Sequence, residues 1–164
     1  MFPPDLIARA TELIARYREA ALMAATAESC TGGLIAGLLT EIPGSSAVLE
    51  RGFVVYSNAA KQELLGVPAE TLVNYGAVSG ETAVAMAEGA LRASRAEVAV
   101  SVTGIAGPDG GTAAKPVGLV HFACARRGKP TAVREERFGA IGREAVRLAS
   151  VRVGLDLLEA ALSH

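Results

Sequence analysis

The stretch Ala21-Leu22-Met23-Ala24-Ala25-Thr26-Ala27-Glu28-Ser29-Cys30-Thr31-Gly32-Gly33 decides the fold class. Its apolar run, Ala21 to Ala27, is too short to stand alone as a helix and passes straight into a polar, glycine-containing corner. It therefore reads as a buried strand entering a turn. Gly33 to Ile42 resumes as an apolar helix, which Pro43-Gly44 brings to an end.

The segments on either side continue the pattern. From Asp5 to Ala20, Leu6, Ile7, Ala10, Leu13, Ile14 and Tyr17 recur at helical spacing with charges between them, an amphipathic opening helix. Val48 to Ser57 carries the β-prone row Phe53-Val54-Val55-Tyr56, and Ser57-Asn58 offers two N-caps for a short helix from Ala59 to Leu65. Thr71 to Val78 reads as a loop, Ser79-Gly80-Glu81 opens a helix to about Ser94, and Glu97 to Val102 is a second buried strand. Val117 to Ala125 and Ala132 to Phe138 form a hairpin around the basic turn Arg126-Arg127-Gly128-Lys129-Pro130, and a last helix runs from about Arg143 to Leu162. Helix-flanked strands followed by a hairpin predict an α/β fold, a three-layer α/β/α sandwich with a mixed β-sheet, as a single domain over residues 1–164.

Composition limits what such a domain does. With 16 Lys and Arg against 17 Asp and Glu, the net charge of −1 supplies no broad cationic face, so a nucleic-acid partner is not expected. Two cysteines, Cys30 and Cys124, make no disulfide framework and suit a reducing compartment. A four-ligand zinc site would need most of the Cys and His in the chain, so no metal and no cofactor is expected. The start of the sequence is not of signal type and no apolar run reaches the length of a membrane span, so the chain reads as soluble and cytoplasmic with no membrane partner. An apolar domain of this size is expected to pair as a homodimer.

The chemistry concentrates at strand ends. His121 falls inside a predicted strand and His164 is the last residue, so neither is placed as the base of a Ser-His-Asp triad. Ser29 stands at a strand-to-helix corner, where the backbone N–H groups of Thr31, Gly32 and Gly33 suit a phosphate or an oxyanion. The plainer reading is that Ser29 or Thr31 caps the helix. Adjacent Cys30 competes as nucleophile, since a thiolate is stabilised at a helix start, and spacing does not choose between the two. Lys61 falls in the first turn of a helix, where the dipole favours its neutral form, as a general base requires; the alternative is a solvated lysine. Tyr56 is placed to bond that lysine or relay a proton, or simply to bury its ring. The loop Thr103-Gly104-Ile105-Ala106-Gly107-Pro108-Asp109-Gly110-Gly111 lets backbone approach a ligand, yet lacks the dinucleotide and P-loop spacings. Arg143 and Arg147, one turn apart, are either a phosphate fork or a solvated face.

Read together, Ala27 to Gly33, Pro43-Gly44-Ser45-Ser46, Arg51 to Asn58 with Lys61, Leu65-Gly66-Val67, Gly76-Ala77-Val78-Ser79, Thr103 to Gly111 and Lys115-Pro116-Val117-Gly118 resemble the CinA C-terminal domain family. Members of this stand-alone length resemble nicotinamide-nucleotide amidohydrolases, which convert nicotinamide mononucleotide to nicotinate mononucleotide and ammonia in pyridine nucleotide salvage. Longer relatives carry an additional N-terminal domain. The resemblance implies Ser29 as nucleophile and Lys61 as base with Tyr56 nearby. It also implies a pocket lined by Cys30, Thr31, Gly32, Gly33, Thr103, Gly104, Ala106 and Gly107, with Arg143 as a further substrate contact. Relatives more often place Gly-Asp or Gly-Asn before that arginine, where this chain has Ile141-Gly142. The alternatives are a non-catalytic module associated with competence or DNA damage, and an amidase for another small amide.

Overall fold

The computed structural model describes residues 1–163. His164, set aside above as a catalytic base, lies outside the described residues. The elements in order are α1 (Pro4–Glu19), β1 (Ala24–Glu28), α2 (Leu34–Thr40), β2 (Leu49–Val54), α3 (Asn58–Leu65), α4 (Ala69–Tyr75), α5 (Gly80–Arg92), β3 (Val98–Gly104), β4 (Leu119–Arg126), β5 (Ala132–Arg137) and α6 (Arg143–Ala161). The expected α/β sandwich with a mixed sheet is what forms. Five strands pair in the order β2-β1-β3-β4-β5, with β1 parallel to β2 and β3, and the final hairpin antiparallel.

The two faces of the sheet differ in residue size. Val98, Val100 and Val102 of β3, with Phe122 of β4, face α1, α2 and α6, where Leu6, Leu13, Ile35, Leu38 and Leu155 complete one core. Ala25, Ala27, Ala99, Ala123 and Ala125 face the other way, under Ala83, Met86, Ala87 and Ala90 of α5. Alternation along each strand produces this division, and the alanine face lets α5 lie close to the sheet. The contact is near enough for Ser101 Oγ to donate to the Ala83 carbonyl at 2.6 Å. The outer strand β5 runs Ala-Val-Arg-Glu-Glu-Arg, with mostly exposed side chains.

One expectation needs correction. Residues 71–78 do not form a loop throughout, because α4 occupies Ala69–Tyr75. Its entry is set by Pro68, and Leu72 is its buried residue. A seven-residue helix with one anchor presents no periodic signal in sequence; packing of Leu72 into the α5 core supplies its stability.

Three strands end where the functional side chains gather. β1 gives way to Ser29, β2 to Val55 and Tyr56, and β3 includes Thr103 and Gly104 at its end. The chain leaves β1 toward β2 on one side and returns to β3 on the other, a switch point of the kind at which open α/β sheets bind ligands. Helix α3, which carries Lys61, is seated by its last turn against α5. A Cβ on Gly89 would stand 2.0 Å from the Leu65 carbonyl oxygen, so only glycine admits this approach. Gly89→Ala is expected to cost about 1–3 kcal/mol through overpacking, read as a lower urea midpoint at unchanged slope.

Candidate active site

Ser29 is the first residue after β1, held there because its N–H donates to the Val102 carbonyl of β3 at 3.0 Å. The corner is built by its neighbour. Glu28, fully buried, accepts from Thr31 Oγ1 at 2.7 Å, from the Ile35 N–H at 2.8 Å and from the Ala36 N–H at 3.0 Å. Its carboxylate therefore satisfies the first turn of α2 from the end of the preceding strand, with favourable charge toward the dipole. Leaving such buried donors unpaired would cost about 1–3 kcal/mol each. From the opposite side, Arg147 of α6 donates through Nε to the Cys30 carbonyl at 3.1 Å and through Nη2 to the Thr31 carbonyl at 3.2 Å.

Lys61 reaches the same place from α3. Ser57 caps this helix by accepting from the Ala60 N–H, and Lys61 lies on its buried face at 1% exposure. Its Nζ stands 3.1 Å from Ser29 Oγ, 3.0 Å from the Val55 carbonyl and 3.2 Å from the Tyr56 carbonyl. Burial holds the amine below the usual lysine range, since removal from water penalises the ammonium form. The sequence pointed to the helix dipole for this shift; burial is what lowers it. Cys30 has the opposite fate, its thiol pushed up to about 12 by burial, which leaves little thiolate at neutral pH.

A cavity of about 180 Å³ opens over these groups, lined by Ser29, Cys30, Tyr56, Lys61, Ala77, Val78, Thr103, Gly104, Ala106 and Arg143. Thr31, Gly32, Gly33 and Gly107 were expected to line it and do not. The α2 start is occupied by Glu28, Gly32 N–H donates to the Ser29 carbonyl at 3.0 Å, and the helix N-cap is Gly33 with no side-chain cap. Neither Ser29 nor Thr31 caps α2. Among the described residues, no backbone carbonyl accepts from the N–H of Cys30 or Ala106, two residues that line the cavity.

The other expected residues fall into defined places. Tyr56 is 63% exposed, touches the lysine through its carbonyl only, and its hydroxyl accepts from Arg143 Nη2 at 3.4 Å. Arg143 also donates through Nη1 to the Gly107 carbonyl at 2.8 Å, joining the glycine-rich loop to the start of α6. Thr103 Oγ1 donates to the Ala77 carbonyl at 2.8 Å, and Gly104 is required because a Cβ there would lie 2.8 Å from the Leu119 carbonyl oxygen. Of the two readings of Arg143 and Arg147, neither a paired fork nor a solvated face describes Arg147, which is half-buried and engaged with the Ser29 corner. His121 is half-buried in β4, with Nε2 4.0 Å from Glu135.

Sequence reasoning missed Glu28, Ala77, Val78 and the two carbonyls that meet Lys61. A carboxylate within a buried strand, three residues ahead of Thr31, was the one available signal. No group of His, Cys, Asp and Glu suited to a metal occurs among the described residues. No helix among the described residues is long and apolar enough to cross a membrane.

Fold and site together define an α/β/α domain with a serine and a buried lysine facing one cavity at the strand ends. Residues 7–162 match the model of the CinA C-terminal domain, and the chain belongs to that family. It is 56% identical over 130 residues to a nicotinamide-nucleotide amidohydrolase PncC of Enterobacter agglomerans, covering 79% of each. It is 51% identical over 150 residues to a CinA-like protein of Anaeromyxobacter sp. (strain Fw109-5), covering 92% of this chain but 36% of that longer protein. Among solved structures, the competence/damage inducible protein CihA from Agrobacterium tumefaciens superposes with a TM-score of 0.97 at 56% identity, over 100% of this chain and 99% of the other.

Both thiols are shielded, with Cys124 also pushed up to about 12 by burial. Iodoacetamide at pH 8 is expected to leave Cys30 and Cys124 unmodified in the native protein and to label both after unfolding, as read by intact mass. Rapid native labelling of Cys30 would return it to candidacy as nucleophile.

Proposed function

We propose that this chain is a nicotinamide-nucleotide amidohydrolase, a single CinA C-terminal-like domain over residues 1–164 that hydrolyses the carboxamide of nicotinamide mononucleotide to nicotinate mononucleotide and ammonia. The observation that carries the reading is the 3.1 Å approach of Lys61 Nζ to Ser29 Oγ inside a shared cavity. The likeness to an amidohydrolase across most of both chains supports it.

The neutral amine fits its surroundings. The Val55 and Tyr56 carbonyls only accept, so two N–H bonds of the amine are directed to them and its lone pair is left for the Ser29 hydroxyl proton. As Ser29 Oγ attacks the carboxamide carbon, that proton passes to Nζ. The negative charge collects on the amide oxygen, and the N–H groups of the cavity-lining Cys30 and Ala106, taken by no backbone carbonyl among the described residues, are the donors this scheme assigns to it. Collapse breaks the C–N bond while the Lys61 ammonium returns the proton to departing ammonia. Water then attacks the acyl-enzyme, giving its proton to Lys61, and Ser29 regains one as the acid leaves. Tyr56 and Arg143 border the cavity as a bonded pair and shape its mouth.

The buried thiols and the near-balanced charge support a cytoplasmic setting without nucleic acid, and exposed Val54, Leu64 and Val73 give a homodimer apolar surface to use. Neither a metal nor another cofactor enters the scheme.

Ammonia release across a panel of nucleotide and simple amides tests the assignment. Ser29→Ala is expected to abolish release from nicotinamide mononucleotide, while Cys30→Ser retains most of it; the reverse pattern moves the nucleophile to Cys30. Lys61→Arg is expected to be nearly inactive, because a guanidinium does not lose its proton in this range. For the wild type, kcat/KM should rise with pH through an inflection below the ordinary lysine value of 10.5, as the depressed amine loses its proton. Turnover only of unrelated amides would redirect the assignment to another amidase. No turnover at all would leave a binding module.

A further inference from the structure

The reactive cavity is small for the substrate it is proposed to serve. Pockets that enclose a whole small ligand hold roughly 300–1,000 Å³, against about 180 Å³ here. The carboxamide-bearing ring enters such a space, and the sugar phosphate extends beyond it.

A second hollow of about 410 Å³ adjoins the first. Val78 lines both, and Thr103 of the reactive cavity is the cross-strand partner of His121 in the second. Paired residues stand about 4.5–5.5 Å apart on the same face of a sheet, so the two hollows lie side by side over β3 and β4. The cations of the first cavity, Lys61 and Arg143, are engaged by the Ser29 corner and by Gly107 and Tyr56, and the second hollow adds further charged side chains. Lys115 Nζ is held there by the Tyr75 carbonyl at 2.6 Å, and a Cβ on Gly76 would stand only 2.9 Å from it. An ammonium has three donors, and among the described residues this one spends a single bond. Arg137 adds a second cation, with Nη2 on Glu135 at 3.2 Å. Two carboxylates, Glu81 and Glu135, line the same space. An acid that accepts from sugar hydroxyls beside cations that take a phosphate is the recognition set of a ribose phosphate.

We propose that this hollow is the subsite for the ribose phosphate half of the substrate, with Lys115 and Arg137 on the phosphate and Glu81 on the ribose hydroxyls. The subsite rests on the amidohydrolase reading above. It makes Lys115 and Arg137 specificity-determining residues, remote from the bond that breaks.

The test compares kcat/KM of the whole protein for nicotinamide mononucleotide and for nicotinamide riboside, which lacks the phosphate, by ammonia release. The wild type is expected to prefer the nucleotide. Lys115→Ala is expected to reduce that preference by roughly tenfold or more, mainly through KM, with Arg137→Ala acting in the same direction. Lys129→Ala, a cation removed from the far end of β4, should leave the ratio in place. Far-UV circular dichroism and thermal midpoints identify any misfolded variant, and Lys115→Gln then serves in its stead. An undiminished preference in the Lys115 and Arg137 variants, with its collapse in Arg143→Ala, would place the phosphate at the start of α6 and overturn the subsite. Equal use of nucleotide and riboside by the wild type would overturn the subsite while leaving the amidohydrolase standing. Failure of the wild type to hydrolyse any of these amides would remove both.

Discussion

An amine enclosed by three oxygens, with almost no water beside it, sets the terms for this molecule. Lys61 touches Ser29 Oγ and the carbonyls of Val55 and Tyr56, and is nearly unexposed. A charged ammonium at such a depth is costly, while a neutral amine has a partner in each direction. The geometry that satisfies it requires three separate strand ends and one helix to arrive together. β1 brings the serine, β2 leads into the two carbonyls, β3 anchors Ser29 N–H through Val102, and α3 brings the lysine itself. The mixed sheet thus assembles the burial that lowers the basicity of this lysine.

Rigidity at the Ser29 corner is supplied by the side chains packed around it. Glu28 closes the corner from within through Thr31, Ile35 and Ala36, and Arg147 grips the Cys30 and Thr31 carbonyls from α6. Arg143, one turn earlier on α6, binds the Gly107 carbonyl and the Tyr56 hydroxyl. Two guanidinium groups on one helix therefore fasten three loops around the cavity. The helix dipole of α2, which in many α/β proteins is offered to a ligand, is here consumed by the protein's own carboxylate.

Much of the sandwich was legible because buried strands and amphipathic helices leave strong periodic marks, and Ser29 and Lys61 stood out because each sat at a strand-to-helix corner. Several features were not legible, for physical reasons. Glu28 acts on backbone groups seven and eight residues away, and Arg147 on carbonyls more than a hundred residues away, so no local pattern announces either. The lysine's environment depends on burial against β1 and β2, where sequence spacing suggested only a dipole. Thr31, Gly32 and Gly33 looked like ligand donors because their N–H groups are free in an isolated turn; in the folded chain the Gly32 N–H turns back to the Ser29 carbonyl and the Glu28 carboxylate takes the Ile35 and Ala36 N–H groups at the start of α2. Helix α4 is too short for its period to register.

The charge-laden outer strand has a consequence for how the protein behaves when crowded. Four of the six side chains of β5, Arg134, Glu135, Glu136 and Arg137, are ionic, so stacking another backbone alongside would bring fixed charges into register and dehydrate them. The opposite margin, β2, carries fewer charges along Leu49–Val54. Fibre-like growth is thereby blocked from one flank, and colloidal robustness in concentrated solution depends on how well the other flank is kept covered.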